Sequence, residues 1–247
     1  MYKQSGEKQA ANGLKLSSYI CRIMKTLKLK HVIFIIAAII VVDQALKIWV
    51  KTSFPIGDTE VSKLSWFKLH YIENSGMAWG WKFGNESGKM ILTLFRLAAV
   101  IFGTWYLGKI VRQKHSRGFI VCAALIYAGA LGNLIDSMFY GMIFDQGYHY
   151  DAALGKYVSY DGVAHLFSGS GYSSFLHGSV VDMLYFPLFK INDFEFFSAI
   201  FNISDASIST GVISLLLFQK RFFKKHRKDP QPAIETSTDV SDKVQVL

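Results

Sequence analysis

Hydrophobic positions in this chain gather into four blocks, at about residues 31–50, 89–110, 118–140 and 196–218. Each approaches the ~20 residues that an α-helix, rising ~1.5 Å per residue, needs to cross a hydrocarbon core. The pattern predicts four membrane-spanning helices. After the first block, Phe54-Pro55-Ile56-Gly57-Asp58 ends the helix, because proline has no amide to donate and glycine favours a turn. The stretch WFKLHYIENSG at 66–76 is aromatic and β-branched, which predicts a small extramembrane sheet within residues 52–87. Segment 141–195 is rich in Gly, Tyr, Ser and Asp, and its middle, GYHYDAALGKYVSYDG, reads as a polar excursion.

Bulk composition adds little, because 51% hydrophobic and 18% charged residues would also suit a soluble domain. The distribution of charge adds more. The net charge of +9 is concentrated at the ends of the apolar blocks, in residues 1–30, at Arg112, Lys114 and Arg117, and at Lys220, Arg221, Lys224, Lys225, Arg227 and Lys228. Basic residues in these places set membrane orientation, so nucleic acid is not an expected partner. They put both termini and the 111–117 loop in the cytoplasm, and loops 52–87 and 141–195 outside. The organisation is then a basic cytoplasmic segment 1–30, a membrane domain 31–219, and a tail 220–247 that is basic and then disordered. The N-terminus does not read as a cleavable signal peptide. Cys21 and Cys122 lie in unlike settings and predict no disulfide.

Acids inside apolar spans are costly, by roughly 2.5–3.5 kcal/mol at a helix centre, and so need a partner or a task. On the predicted topology Asp43 in the first span, Asn133 and Asp136 in the third, and Asn202 and Asp205 in the fourth all fall toward the outer face. Asn133 and Asp136 share a helix face, as do Asn202 and Asp205, because residues three apart are neighbours on a helix. Asp43 and Lys47, four apart, can form an ion pair. The small residues Ala128, Gly129, Ala130 and Gly132 let another helix approach closely. Structural readings stand beside functional ones: an Asp43–Lys47 pair that only anchors helices, Asn133 and Asn202 as interhelical hydrogen bonders, Asp136 as a helix anchor. No phosphate loop, metal cluster or Ser–His arrangement is present in the spans, and no cofactor is expected. What remains is carboxylate chemistry, in which two acids sharing one proton activate water against a peptide carbonyl.

The motifs DQALK at 43–47, ENSGMAWG at 73–80, GALGNLID at 129–136, GSVVD at 178–182 and FNISD at 201–205 occur in this order, and together they resemble the lipoprotein signal peptidase (signal peptidase II) family over about residues 31–219. The resemblance implies an all-α membrane protein, a four-transmembrane-helix bundle with a small extracytoplasmic β-cradle supplied by 52–87. It implies an aspartyl endopeptidase of the bacterial inner membrane that removes signal peptides from diacylglyceryl-modified prolipoproteins, with those substrates and membrane lipids as partners. A monomer is expected. Carried over residue by residue, the catalytic pair is Asp182 and Asp205. Asp43, Lys47, Asn74, Gly76, Asn133, Asp136 and Asn202 bind substrate or support the site. Two departures stand out. Where the family commonly has Arg after the aspartate of its Asn-Leu-Ile-Asp box, this chain has Ser137. Asp145, in Gly141-Met142-Ile143-Phe144-Asp145, also has the spacing of the first catalytic box, while Asp182 follows an insertion. Asp182 is preferred because its surroundings stay apolar and it lies nearer Asp205. The rival reading is a proton-coupled small membrane transporter relaying through Asp43, Asp136 and Asp205. A relay would spread acids through the depth of the membrane, whereas these crowd toward one face.

Overall fold

The computed structural model describes residues 27–57, 64, 66–74, 86–187, 189–191, 194–196 and 199–223. The N-terminal segment, the end of the tail, and Gly76, Trp79 and Trp81 lie outside the described residues. Four long helices form the body: α1 (Leu29–Ser53), α2 (Glu86–Arg112), α3 (Arg117–Ile135) and α4 (Ile203–Phe222). Among the described residues, three stretches are long and apolar enough to cross a membrane, Leu29–Ser53, Gly88–Arg112 and Arg117–Ile143. Their outward faces carry bare apolar side chains such as Phe34, Phe95, Phe102 and Trp105, as expected of helices solvated by lipid rather than water.

The third span departs from the expected 118–140. α3 continues through a π-helical turn, Asp136–Tyr140, into a last α-helical turn, Gly141–Ile143. Such a widened turn is rare and tends to mark functional sites. Here it carries Asp136 and Ser137, both buried.

The fourth helix starts later than its apolar block. Residues 194–196 and 200–201 are strands, and α4 begins only at Ile203. Hydropathy cannot separate an apolar strand from the helix that follows it, and the boundary is set by Asn202. Its side chain accepts the Asp205 amide at 2.9 Å and so caps the helix. α4 lies along α3, where Gly129 and Gly132 leave no room for a side chain. A Cβ at Gly129 would stand 2.2 Å from the Ser204 carbonyl oxygen, and one at Gly132 would stand 2.1 Å from Ser204 Oγ. The small-residue stretch of α3 therefore serves as expected.

The extramembrane part corrects the expectation that 52–87 makes a sheet alone, and with it the all-α description. β1 (Lys68–Asn74) pairs antiparallel with β4 (Val180–Tyr185), and β4 pairs with β7 (Ile200–Phe201). This three-stranded sheet, in order β1-β4-β7, packs through β4 against α1 and the π-helical turn after α3. Two hairpins complete the strands, β2–β3 (His149–Asp151 with Lys156–Val158) inside the polar excursion and β5–β6 (Phe189–Ile191 with Phe194–Phe196).

Candidate active site

Where the helices meet the sheet, a buried polar network replaces apolar packing. Lys47 of α1 is fully buried, and its ammonium has three protons to place. They go to Asp43 Oδ2 at 2.9 Å, Asp136 Oδ2 at 2.7 Å and Asn133 Oδ1 at 3.0 Å. Gln44 donates to Asp136 Oδ1 at 2.8 Å, and its own carbonyl accepts the Tyr140 hydroxyl at 3.1 Å. The other Asp43 oxygen accepts the Ser204 amide at 2.8 Å. That amide belongs to the first turn of α4, where N–H groups lack helical partners and the helix dipole favours an anion. Asp43 thus ties α1 to α4 as well as pairing with Lys47. Such charges are tolerated in a dry interior because each is paired and hydrogen-bonded on several sides.

This scaffold holds the two acids that the sequence singles out. Asp182 lies in β4 opposite Ile72 of β1, and it is buried. Its Oδ1 accepts Asn202 Nδ2 at 2.6 Å, and the same amide group also reaches the Val181 carbonyl at 3.2 Å. Asp205, in the first turn of α4, accepts Asn133 Nδ2 at 2.7 Å. Asn133 has a fixed orientation, because its oxygen takes the Lys47 ammonium and Asn202 Nδ2 while its nitrogen faces Asp205. Burial first, and the negative charge of Asp205 second, push the Asp182 carboxyl up to about 8, with Lys47 and the Asn202 bond working the other way. A carboxyl so placed keeps its proton near neutrality and can donate it.

Asp145 stands apart from this network. It accepts the His165 amide at 2.7 Å and the Ser168 hydroxyl at 2.8 Å, and it pairs with the His165 ring at 3.2 Å. Slight burial opposes its ionisation, but these bonds hold its carboxyl below the usual carboxylate range. Asn74 ends β1 opposite Val180, two residues from Asp182 on the paired strand. Of the site residues expected from sequence, Asp43, Lys47, Asn133, Asp136, Asp182, Asn202 and Asp205 come together. His177 stays in its loop, bonded to Ser174. Among the described residues, no three of His, Cys, Asp and Glu are grouped to hold a metal ion.

Three participants escaped the sequence reading. Gln44 and Tyr140 are ordinary residues there, and nothing in the pattern marks them. Arg96 does carry a signal, as an isolated cation inside the second apolar block. It projects from α2 and donates to Ser137 Oγ at 2.9 Å, and Ser137 in turn donates to the Asn133 carbonyl at 2.9 Å.

A second buried cluster fastens the 141–179 segment beside the site. Lys51, one turn beyond Lys47, pairs with Glu73 of β1 and lies 5.0, 5.3 and 5.1 Å from the ring centres of Phe144, Tyr160 and Tyr172. Glu73 also takes the Tyr148 amide at 2.8 Å and the Tyr160 hydroxyl at 3.2 Å. Burial and the neighbouring Glu73 push the Tyr71 and Tyr160 hydroxyls far up, so both remain donors. On the sheet's outer side, Trp66 stacks on Phe186, which stacks on Phe201.

Helices that fit a bilayer, capped by a sheet and meeting at buried carboxyls, define a membrane protein built around an acidic site. Residues 35–221 match the family model described as signal peptidase (SPase) II, so the chain belongs to the signal peptidase II family. It is 41% identical over 205 residues to the lipoprotein signal peptidase of Porphyromonas gingivalis strain ATCC 33277, covering 78% of this chain and 84% of that one. The lipoprotein signal peptidase of Amoebophilus asiaticus is 32% identical over 195 residues, with 74% of each chain covered. A bacterial membrane enzyme solved at 2.3 Å by the in meso method shares the fold, with a TM-score of 0.51 at 22% identity over 84% of this chain and 98% of that one.

Proposed function

We propose that this chain is an intramembrane aspartyl endopeptidase that removes signal peptides from diacylglyceryl-modified prolipoproteins, cutting the bond on the amino side of the lipidated cysteine. Family membership supports the substrate class. The observation that carries the mechanism is the pair of carboxyls linked through two hydrogen-bonded asparagines, Asn202 donating to Asp182 and Asn133 donating to Asp205. Asp205, ionised and steadied by Asn133, takes a proton from the attacking water. Asp182, protonated because it is buried against a second acid, donates to the scissile carbonyl oxygen. The tetrahedral intermediate collapses when the leaving amine is protonated, and no cofactor is required.

Lys47, Asp43 and Asp136 hold the helices in register, and Asn74, at the end of β1, is assigned with Gly76 to substrate binding or site support. The fold reading extends to α4 as a fourth span, since its 20 residues reach ~30 Å. Both termini then lie in the cytoplasm, the chain resides in the bacterial inner membrane as a monomer, and the site opens toward the outer leaflet. The exposed Trp66 belongs at that interface, the usual depth for such rings.

The test is to incubate purified protein with a diacylglyceryl-modified prolipoprotein and with its unmodified form. Cleavage of the first alone is expected. Equal cleavage of both would remove the lipid requirement, and turnover surviving in both Asp182→Asn and Asp205→Asn would remove the dyad.

A further inference from the structure

We infer that Arg96 is a positioning residue for the dyad, a second cation supplied by α2 that offsets the negative charge Lys47 leaves over. The inference rests on the aspartyl reading above and adds a residue to it. Four acids, Asp43, Asp136, Asp182 and Asp205, are drawn together by α1, α3, β4 and α4. Lys47 is spent on Asp43, Asp136 and Asn133, and no bond from it goes to Asp182 or Asp205. One ammonium between two carboxylates leaves one negative charge over, and a dyad sharing one proton adds another. A dry site holds such an excess poorly.

Arg96 is placed to relieve it. The guanidinium is half-buried, although it projects from a helix whose neighbours Leu94, Phe95, Ala98 and Ala99 are exposed to lipid. It bonds to Ser137 at 2.9 Å, on the π-helical turn that follows Asn133 and Asp136. From there Asp205, Asp136 and Asp182 are the acids its charge is near enough to act on. A permanent cation in an apolar span is expensive unless it faces the bundle interior and a counter-charge, and this one does both. Ser137 serves as its rest. The hydroxyl accepts the guanidinium and donates to the Asn133 carbonyl, so the arginine is held level with the residue that orients Asp205.

Charge and shape are separable. Arg96→Lys keeps the charge, while Arg96→Gln keeps a donor for Ser137 and removes the charge. With a fixed lipidated substrate, Arg96→Gln is expected to lower kcat by roughly tenfold to a hundredfold, with little change in KM. Arg96→Lys stays within about threefold of the parent. Losing the cation also favours the protonated form of Asp182, so the alkaline limb of the Arg96→Gln pH profile should move up. Moving the group to the neighbouring helix, as Arg96→Ala with Ser137→Arg, should recover part of the activity that Arg96→Ala loses. Asp182→Asn in the same assay tells the two failures apart. If it is dead and Arg96→Gln matches the parent in rate and pH profile, Arg96 has no such role. If the lysine and glutamine variants fall equally with unmoved pH profiles, its role is shape alone, and the inference is equally wrong. If Asp182→Asn still turns over, the aspartyl reading itself has failed.

Discussion

Asn202 Nδ2 stands 2.6 Å from Asp182 Oδ1, so the residue that starts α4 also orients a carboxyl carried by the sheet. One side chain performs both tasks, because its oxygen caps the helix while its nitrogen reaches β4. Helix start and acid geometry cannot be varied independently.

Asn202→Ala should therefore lose in two readouts. Loss of the cap lowers stability by about 1 kcal/mol. Loss of the Asp182 bond lowers cleavage by roughly 100-fold, in the range for a misplaced acid. Thermal unfolding in detergent and the lipoprotein cleavage assay measure the two separately.

Lys47→Met should destabilise more than any single change in the dyad. It leaves Asp43 and Asp136 buried with no shared cation, at a cost of about 3–5 kcal/mol. Lys47→Met with Asp136→Asn removes one of the orphaned charges and should regain part of that loss. Melting temperatures of the two variants check the order.

Asp145→Asn separates the two candidate acids. Asp145 is engaged by His165 and Ser168 and lies outside the Asn133–Asn202 network, so its variant should cleave within about twofold of the parent. Asp182→Asn should lose at least ~100-fold. The reverse result would move the catalytic acid to residue 145.

Raising the pH should inactivate the enzyme and weaken it together. The Asp182 carboxyl titrates near 8 when folded, against 3.8 in its ordinary state. The folded protein binds this proton more tightly, so its stabilising contribution is complete below 3.8 and disappears as pH rises through about 8. Cleavage should decline over the same upper limb, as the acid that serves the carbonyl oxygen ionises. Asp182→Asn should unfold with a flatter dependence on pH across that window.

Much of this was legible in the chain because the bilayer is a severe solvent. Spans announce themselves as apolar blocks, and acids within them stand out against that background, as Asp43, Asp136 and Asp205 do. Motif order then pointed to Asp182, which no hydropathy argument singles out. Arg96 is equally visible as a charge in a span, but its sequence neighbours give no sign of which polar group it meets. The 196–218 block hides its boundary, because an apolar strand and a helix look alike in apolar content, and only the Asn202 cap separates them.

By itself the sequence determined which segments are apolar enough to enter lipid and which polar groups fall near one level, since each follows from local hydropathy and helical spacing. The tertiary structure alone decided which atoms meet. Lys47 divides its protons among Asp43, Asp136 and Asn133, Arg96 comes to Ser137 from another helix, and Glu73 closes on Lys51 beneath three aromatic rings. Those choices depend on how closely α3 and α4 approach at Gly129 and Gly132 and where β4 crosses the helix ends, and spacing along one chain does not encode distances between separate elements.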